Sequence, residues 1–207
     1  MVPSPAQGLT QPQRVELSHR RLVEAAAELI AEKGWEATTA AEIGRRAGYS
    51  RAMVHARFGS KDAILDAFFD HDYVRRLTPD LDPDTTGLDQ ALAHFDHVER
   101  LYHENADFLR AMFLATFEGA KTTSALRDRV RRNIRDGKAK VASALRTGLA
   151  DGSVRPDIDL DRAVNDISST VFGLAYQWAV IPEGYDLARE LTYVRDRFVT
   201  TYGTPKP

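Results

Sequence analysis

The stretch from Thr38 to Lys61, TTAAEIGRRAGYSRAMVHARFGSK, decides the fold. Thr39 and Glu42 stand at the spacing of a capping box, in which the hydroxyl takes one orphan amide and the carboxylate reaches back to another, so a helix starts there. Ala47-Gly48-Tyr49 is a tight turn, where Gly48 can take the left-handed backbone that ends that helix, and Ser50 caps the next. Between Ile43 and Lys61 lie Arg45, Arg46, Arg51, Arg57 and Lys61 without one acidic residue. Two short helices set at a steep angle by such a turn bring the second into the major groove of DNA.

Working outward, Leu22, Ala25, Ala26, Leu29 and Ile30 recur at helical spacing after Arg20, and Lys33-Gly34 closes that first helix. Residues 1–18 are rich in Pro, Gln and Ser with no apolar period and are expected to form a flexible N-terminal arm. The helix-turn-helix head is placed at 19–62. Residues 1–61 hold nine Lys/Arg against six Asp/Glu, whereas the remainder holds 19 against 24. The chain is therefore basic where it would touch phosphate and acidic elsewhere.

The rest, 63–207, is a succession of amphipathic helical patterns without a strand. A connecting helix is expected from Ala63 to Val74, then a loop from Thr78 to Gly87. Helices follow near Leu88–Glu104, Asp107–Glu118, Ser124–Ala150, Leu160–Ile181 and Tyr185–Tyr202. The fold class is all-α: a three-helix DNA-binding head on a larger helical bundle. With 207 residues and 43% apolar content a core is assured, and the absence of cysteine excludes disulfides, a thiolate zinc site and a catalytic thiol. The N-terminus lacks the basic and apolar regions of a signal peptide, and Val171–Ile181 is too short to cross a bilayer. A cytoplasmic, nucleoid-associated protein with no membrane partner is expected.

The span Arg20 to Leu65 resembles the TetR family of transcriptional regulators. The residues that carry the likeness are Ala25-Ala26 and Gly34, Thr38-Thr39 and Ile43, Ala47-Gly48-Tyr49-Ser50, and Phe58-Gly59-Ser60-Lys61. The second half matches more loosely, through Gly152-Ser153-Val154-Arg155-Pro156-Asp157, Gly173-Leu174 and Trp178. The resemblance implies a head that binds DNA and a body that binds small ligands and dimerises. Two departures stand out. Gly44 replaces the family's usual Ala, costing roughly 1 kcal/mol of helix propensity while permitting closer helix packing, and His55 replaces the usual Tyr of the recognition helix, which makes a phosphate contact sensitive to pH.

A helix entering the major groove by its N-terminus offers its first turns to base edges, so Arg51, Ala52 and Met53 are the candidates for base readout. By the resemblance, Thr38, Thr39, His55 and Lys61 meet the phosphate backbone, with Arg57 as an added contact. Arg45 and Arg46 suit either DNA or a solvated helix face. In the body, Phe95, Tyr102, Met112, Phe113, Phe117, Phe172 and Tyr176 supply apolar surface for an effector pocket, with His97, His103, Glu99 and Gln177 as polar anchors. Val164, Ile167, Val171 and Trp178 on one helix, and Leu191, Val194 and Phe198 on the last, form the expected homodimer interface. His94-x-x-His97 and His103 share metal-like spacing, but the further ligands are not spelled out, and neither metal nor cofactor is expected. No phosphate loop, nucleophile elbow or metal-ligand set marks an enzyme.

The whole implies a ligand-responsive repressor on a near-palindromic operator, released by a small, mostly apolar effector. A DNA-binding activator or architectural protein whose body only dimerises or docks a partner fits the same residues.

Overall fold

The computed structural model describes residues 8–69 and 84–205, and every statement below concerns those. Helix α1 spans Gln11–Lys33, α2 Ala40–Arg46, α3 Arg51–Phe58 and α4 Asp62–Asp66. Helices α5 (Gly87–Glu118), α6 (Arg127–Asp151), α7 (Leu160–Val180) and α8 (Leu187–Tyr202) build the body, with a 3₁₀ turn at Pro182–Gly184. The one pairing of extended backbone among the described residues is an isolated antiparallel bridge between Val154 and Gly203. No helix among them is long and apolar enough to cross a membrane. Of the connecting helix expected to Val74 and the loop from Thr78, residues 70–83 lie outside the described residues.

The boundary expected at residue 18 falls inside α1. Its first turn is nucleated by a second capping box, with the Thr10 N–H donating to Gln13 Oε1 at 2.9 Å and the Gln13 N–H to Thr10 Oγ1 at 3.4 Å. Pro12 sits in the first turn, where its missing N–H costs nothing. These polar turns show no apolar period because they are exposed; the buried stripe begins at Ser18 and continues through Leu22, Ala26 and Ile30. Gly34, at φ 81°, then ends α1.

The α2–α3 turn forms as its sequence dictates. Gly48 takes φ 80°, the Ser50 hydroxyl accepts the Met53 N–H at 3.3 Å, and the Tyr49 N–H donates to the Gly44 carbonyl at 2.7 Å. That last bond brings the turn so close that a Cβ on Gly44 would lie 2.9 Å from the Ser50 carbonyl oxygen. The glycine therefore exchanges helix propensity for close approach.

In the body, Asn105 leaves helical geometry (φ −161°, ψ 81°), and its side chain accepts the Phe108 N–H at 3.0 Å, so it caps the second half of a kinked α5. The two helices expected from the sequence are these halves. Helices α5 and α6 cross with backbones in contact at Gly87 and Gly148. A clasp locks the crossing: the Gly87 N–H donates to Asp151 Oδ2 at 2.8 Å and the Leu88 N–H to Ser153 Oγ at 3.1 Å. The Ser153 hydroxyl and the Gly87 amide hold the Asp151 carboxyl below its ordinary range. Arg110 of α5 ties down the end of α7, donating to the Ala179 carbonyl from Nε at 3.2 Å and Nη2 at 2.9 Å.

Candidate nucleic-acid interface

The recognition surface is built by one residue that holds α3 in place and several that look outward. Val54 is fully buried and Phe58 is half-buried, its ring 5.0 Å from that of His19 on α1. Arg51, Ala52, His55 and Ala56 are exposed, whereas Met53 is half-buried and packs on the core. Of the three residues expected to read bases, Arg51 and Ala52 thus stand on open surface and Met53 is shared with the interior. Ala56, one turn after Ala52, extends the same face. It was missed because alanine carries no signal of its own.

The residues expected at phosphate divide more sharply. Thr38 is 1% exposed and its hydroxyl donates to the Gly34 carbonyl at 2.9 Å, so its side chain has no access to DNA; it closes the α1–α2 turn. Thr39 is exposed, but its hydroxyl donates to Glu42 Oε2 at 2.8 Å and accepts the Glu42 N–H at 3.3 Å. Lys33 at 2.6 Å, with Thr39, pulls the Glu42 carboxyl down to about 2. His55 Nδ1 stands 3.1 Å from the Gly59 carbonyl. A proton shared there leaves Nε2 a donor to phosphate only in the imidazolium form. Arg57 is half-buried. Lys61 is half-buried, donating to the Trp35 carbonyl at 2.8 Å with its ammonium 4.3 Å from the indole centroid.

The two open arginines separate as well. Arg46 forks onto Glu32 at 2.7 and 2.9 Å and reaches Glu28 at 3.1 Å, binding α2 to α1. These carboxylates push its pKa further up, and Arg46 holds Glu32 down. Arg45 is exposed.

In the body, the aromatic residues form a row between α5 and α7. Phe113 stacks on Phe117 with centroids 6.2 Å apart and meets Phe172 edge-on at 6.5 Å, and Phe117 meets Tyr176 at 5.5 Å. Tyr102 packs on Trp178 at 5.5 Å, Met112 is buried, and Phe95 lies apart against Phe198 of α8 at 5.8 Å. Tyr176 is 57% exposed and so forms the outer end of the row. Among the described residues no group of three or more His, Asp or Glu could hold a metal ion. His94 is instead a packed residue, Nδ1 lying 3.2 Å from the Ala91 carbonyl, and burial pushes it down to about 4.

The stripe assigned to dimerisation is occupied within the single chain. Ile167, Val171, Trp178, Leu191, Val194 and Phe198 are buried against their own body, and Val164 is half-buried. The reason is physical: the most regular stripe of each helix seals its own core. The outward faces of the same two helices carry Tyr176, Val180, Tyr193 and Val199, with Ile181 just beyond α7.

A three-helix head that presents one helix by its polar N-terminal face, set on a larger helical body, defines a helix-turn-helix DNA-binding regulator. Residues 22–68 match the family "Bacterial regulatory proteins, tetR family", and residues 105–201 match "BetI-type transcriptional repressor, C-terminal". The chain belongs to the TetR family and is a transcriptional regulator, not an enzyme. It is 28% identical over 171 residues to the HTH-type transcriptional repressor KstR2 of Mycolicibacterium smegmatis, covering 76% of this chain and 77% of that one. Two solved structures share the fold. The SmeT–triclosan complex has a TM-score of 0.75 and 24% identity, covering 92% of this chain and 98% of that one. FadR from Bacillus subtilis in complex with stearoyl-CoA has a TM-score of 0.70 and 20% identity, covering 87% and 97%.

Proposed function

We propose that the protein is a ligand-responsive repressor that binds a near-palindromic operator as a homodimer. The observation that carries this reading is the exposed face of α3, where Arg51, Ala52, His55 and Ala56 stand clear while Val54 anchors the helix. Arg51 takes guanine O6 and N7, Ala52 packs on a thymine methyl with Met53 at its edge, and Arg45, Lys61 and His55 meet phosphate. A two-fold pairing of bodies through the outward faces of α7 and α8 sets two such helices about 34 to 36 Å apart, one turn of DNA.

The effector is a small, mostly apolar molecule bound along the Phe113, Phe117 and Phe172 row. Similarity to proteins solved with triclosan and with stearoyl-CoA supports a ligand of that general kind. Release follows if the ligand binds more tightly to a body whose heads are wrongly spaced.

Selection of fragments from a random DNA library with the purified full chain tests the reading. A near-palindrome with half-sites one turn apart is expected. Arg51→Ala should then cost about 1–3 kcal/mol on that operator and relax one base position. An unchanged preference across the library would remove Arg51 from base readout.

A further inference from the structure

The turn that joins α1 to α2 is gripped from two directions. From the body, the Glu118 carboxylate at the end of α5 accepts the Trp35 N–H with both oxygens at 3.3 Å. The fit is tight, since a Cβ on Gly34 would come within 3.1 Å of Glu118 Oε1. From the head, Lys61 donates to the Trp35 carbonyl at 2.8 Å and its ammonium covers the indole face at 4.3 Å. The same carbonyl accepts the Thr38 N–H at 3.0 Å, one residue before the N-cap of α2. Trp35 itself is 1% exposed, so both grips close on a buried residue and are partly shielded from solvent.

We propose that Trp35 and Glu118 are positioning residues for Lys61: the body, through the Trp35 backbone, fixes where the Lys61 ammonium stands for DNA phosphate. The proposal rests on the reading of Lys61 as a phosphate contact. A lysine has a flexible four-carbon stem and three donors. Here one donor is spent on the Trp35 carbonyl and the charge is seated on the indole, which leaves two donors on a stem already ordered before DNA arrives. The seat depends on Glu118. Without that carboxylate the Trp35 N–H is left without its acceptor inside the joint, and the turn that carries the carbonyl shifts to find another.

Glu118 directly follows Phe117, which belongs to the aromatic row between α5 and α7. A ligand that parts this row moves the end of α5 and with it the carboxylate. The body thus reaches a phosphate-binding side chain as well as the spacing of the heads. A second tie to the helices of the body, Arg129 of α6 to Asp66 of α4 at 2.6 Å, is separate from the Trp35 contacts and serves as the control.

The test is the salt dependence of DNA binding by the full-length protein on the selected operator. Each phosphate contact contributes close to one unit to the slope of log K against log salt. Lys61→Gln should lower the slope by about 2 in a dimer, one unit for each head. Glu118→Ala should lower it by a similar amount, and the double variant should lose little more, because both act on one contact. Glu118→Gln keeps an acceptor for the Trp35 N–H and should retain the wild-type slope, whereas Glu118→Asp, a methylene shorter, should lose part of it. Asp66→Ala should leave the slope unchanged. A purely structural role for Glu118 would lower thermal stability in all three variants without moving the slope, and that result overturns the proposal. If Glu118→Ala does not fold, Glu118→Asp and Glu118→Gln supply the same contrast. An unchanged slope in Lys61→Gln would overturn the phosphate reading itself, whatever the Glu118 variants do.

Discussion

Replacing Tyr193 with glutamate should separate association from folding. Tyr193 is 62% exposed in the single chain. A covered aromatic side chain buries roughly 150–250 Å², so about 120 Å² remains for a partner, worth about 3 kcal/mol of burial. Two-fold symmetry counts it twice, about 6 kcal/mol per dimer. If only half that surface is covered, the loss is still about 3 kcal/mol, more than a hundredfold in Kd. The new carboxylates add a desolvation cost in the same direction. Sedimentation velocity over a dilution series, with circular dichroism alongside, should show a folded monomer whose operator affinity has collapsed. Leu191→Ala, fully buried on the opposite face of the same helix, should do the reverse: it should lower the unfolding free energy by about 2–5 kcal/mol and leave association intact. The reasoning fails if Tyr193→Glu remains a dimer with unchanged operator affinity, or if Leu191→Ala yields a well-folded monomer.

Two further outcomes follow from the body. His94 is pushed down to about 4 by burial, against an ordinary value of 6.5, so it stays neutral in the folded chain while the unfolded chain takes up a proton below pH 6.5. Its contribution is complete above that pH and is lost as pH falls towards 4, by roughly 3 kcal/mol. Urea titrations at pH 7 and pH 4.5 should therefore differ less for His94→Phe than for the wild type, and equal differences would count against the assignment. Gly87→Ala drives a Cβ into the Gly148 backbone, which cannot yield as a side chain would, and should cost about 3 kcal/mol. That corresponds to a fall of roughly 6–12 °C in Tm. Gly137→Ala on α6 faces open space and should instead raise Tm slightly.

What could be read in the sequence was whatever chemistry acts locally. The Thr39–Glu42 box, the Gly48 turn and the Ser50 cap each involve groups within a few residues, and all three form as their spacing dictates. The start of α1 carries an equally local signal at Thr10 and Gln13, but no apolar period accompanies it, because exposed turns do not need one. Gly44 is expected to exchange propensity for closer packing, and the distance to the Ser50 carbonyl identifies the backbone that it lets approach. The residues expected at a dimer face lie buried within the chain for a different reason. Each of α7 and α8 carries apolar residues on two faces, and periodicity says that a face is covered without saying by what. Nothing local links Trp35 to Glu118, which are 83 positions apart.

The structure also revises how strongly one head can hold DNA. Five cations between Ile43 and Lys61 suggest a densely basic surface, yet Arg46 is neutralised by Glu28 and Glu32 and Lys61 spends a donor on Trp35. Arg57 is half-buried, which leaves Arg45 and Arg51 as the arginines of this stretch that are both exposed and outside the Glu28–Glu32–Arg46 cluster. A stretch with so few uncommitted charges adds little phosphate affinity by itself, since non-specific affinity grows with the number of phosphates neutralised. Affinity then depends on engaging two heads at once, which raises the effective concentration of the second after the first has docked. A small change in the body that spoils their spacing removes that gain without unfolding either head. In the proposed repressor, the modest charge of the reading surface would be what gives a ligand bound far from DNA its leverage.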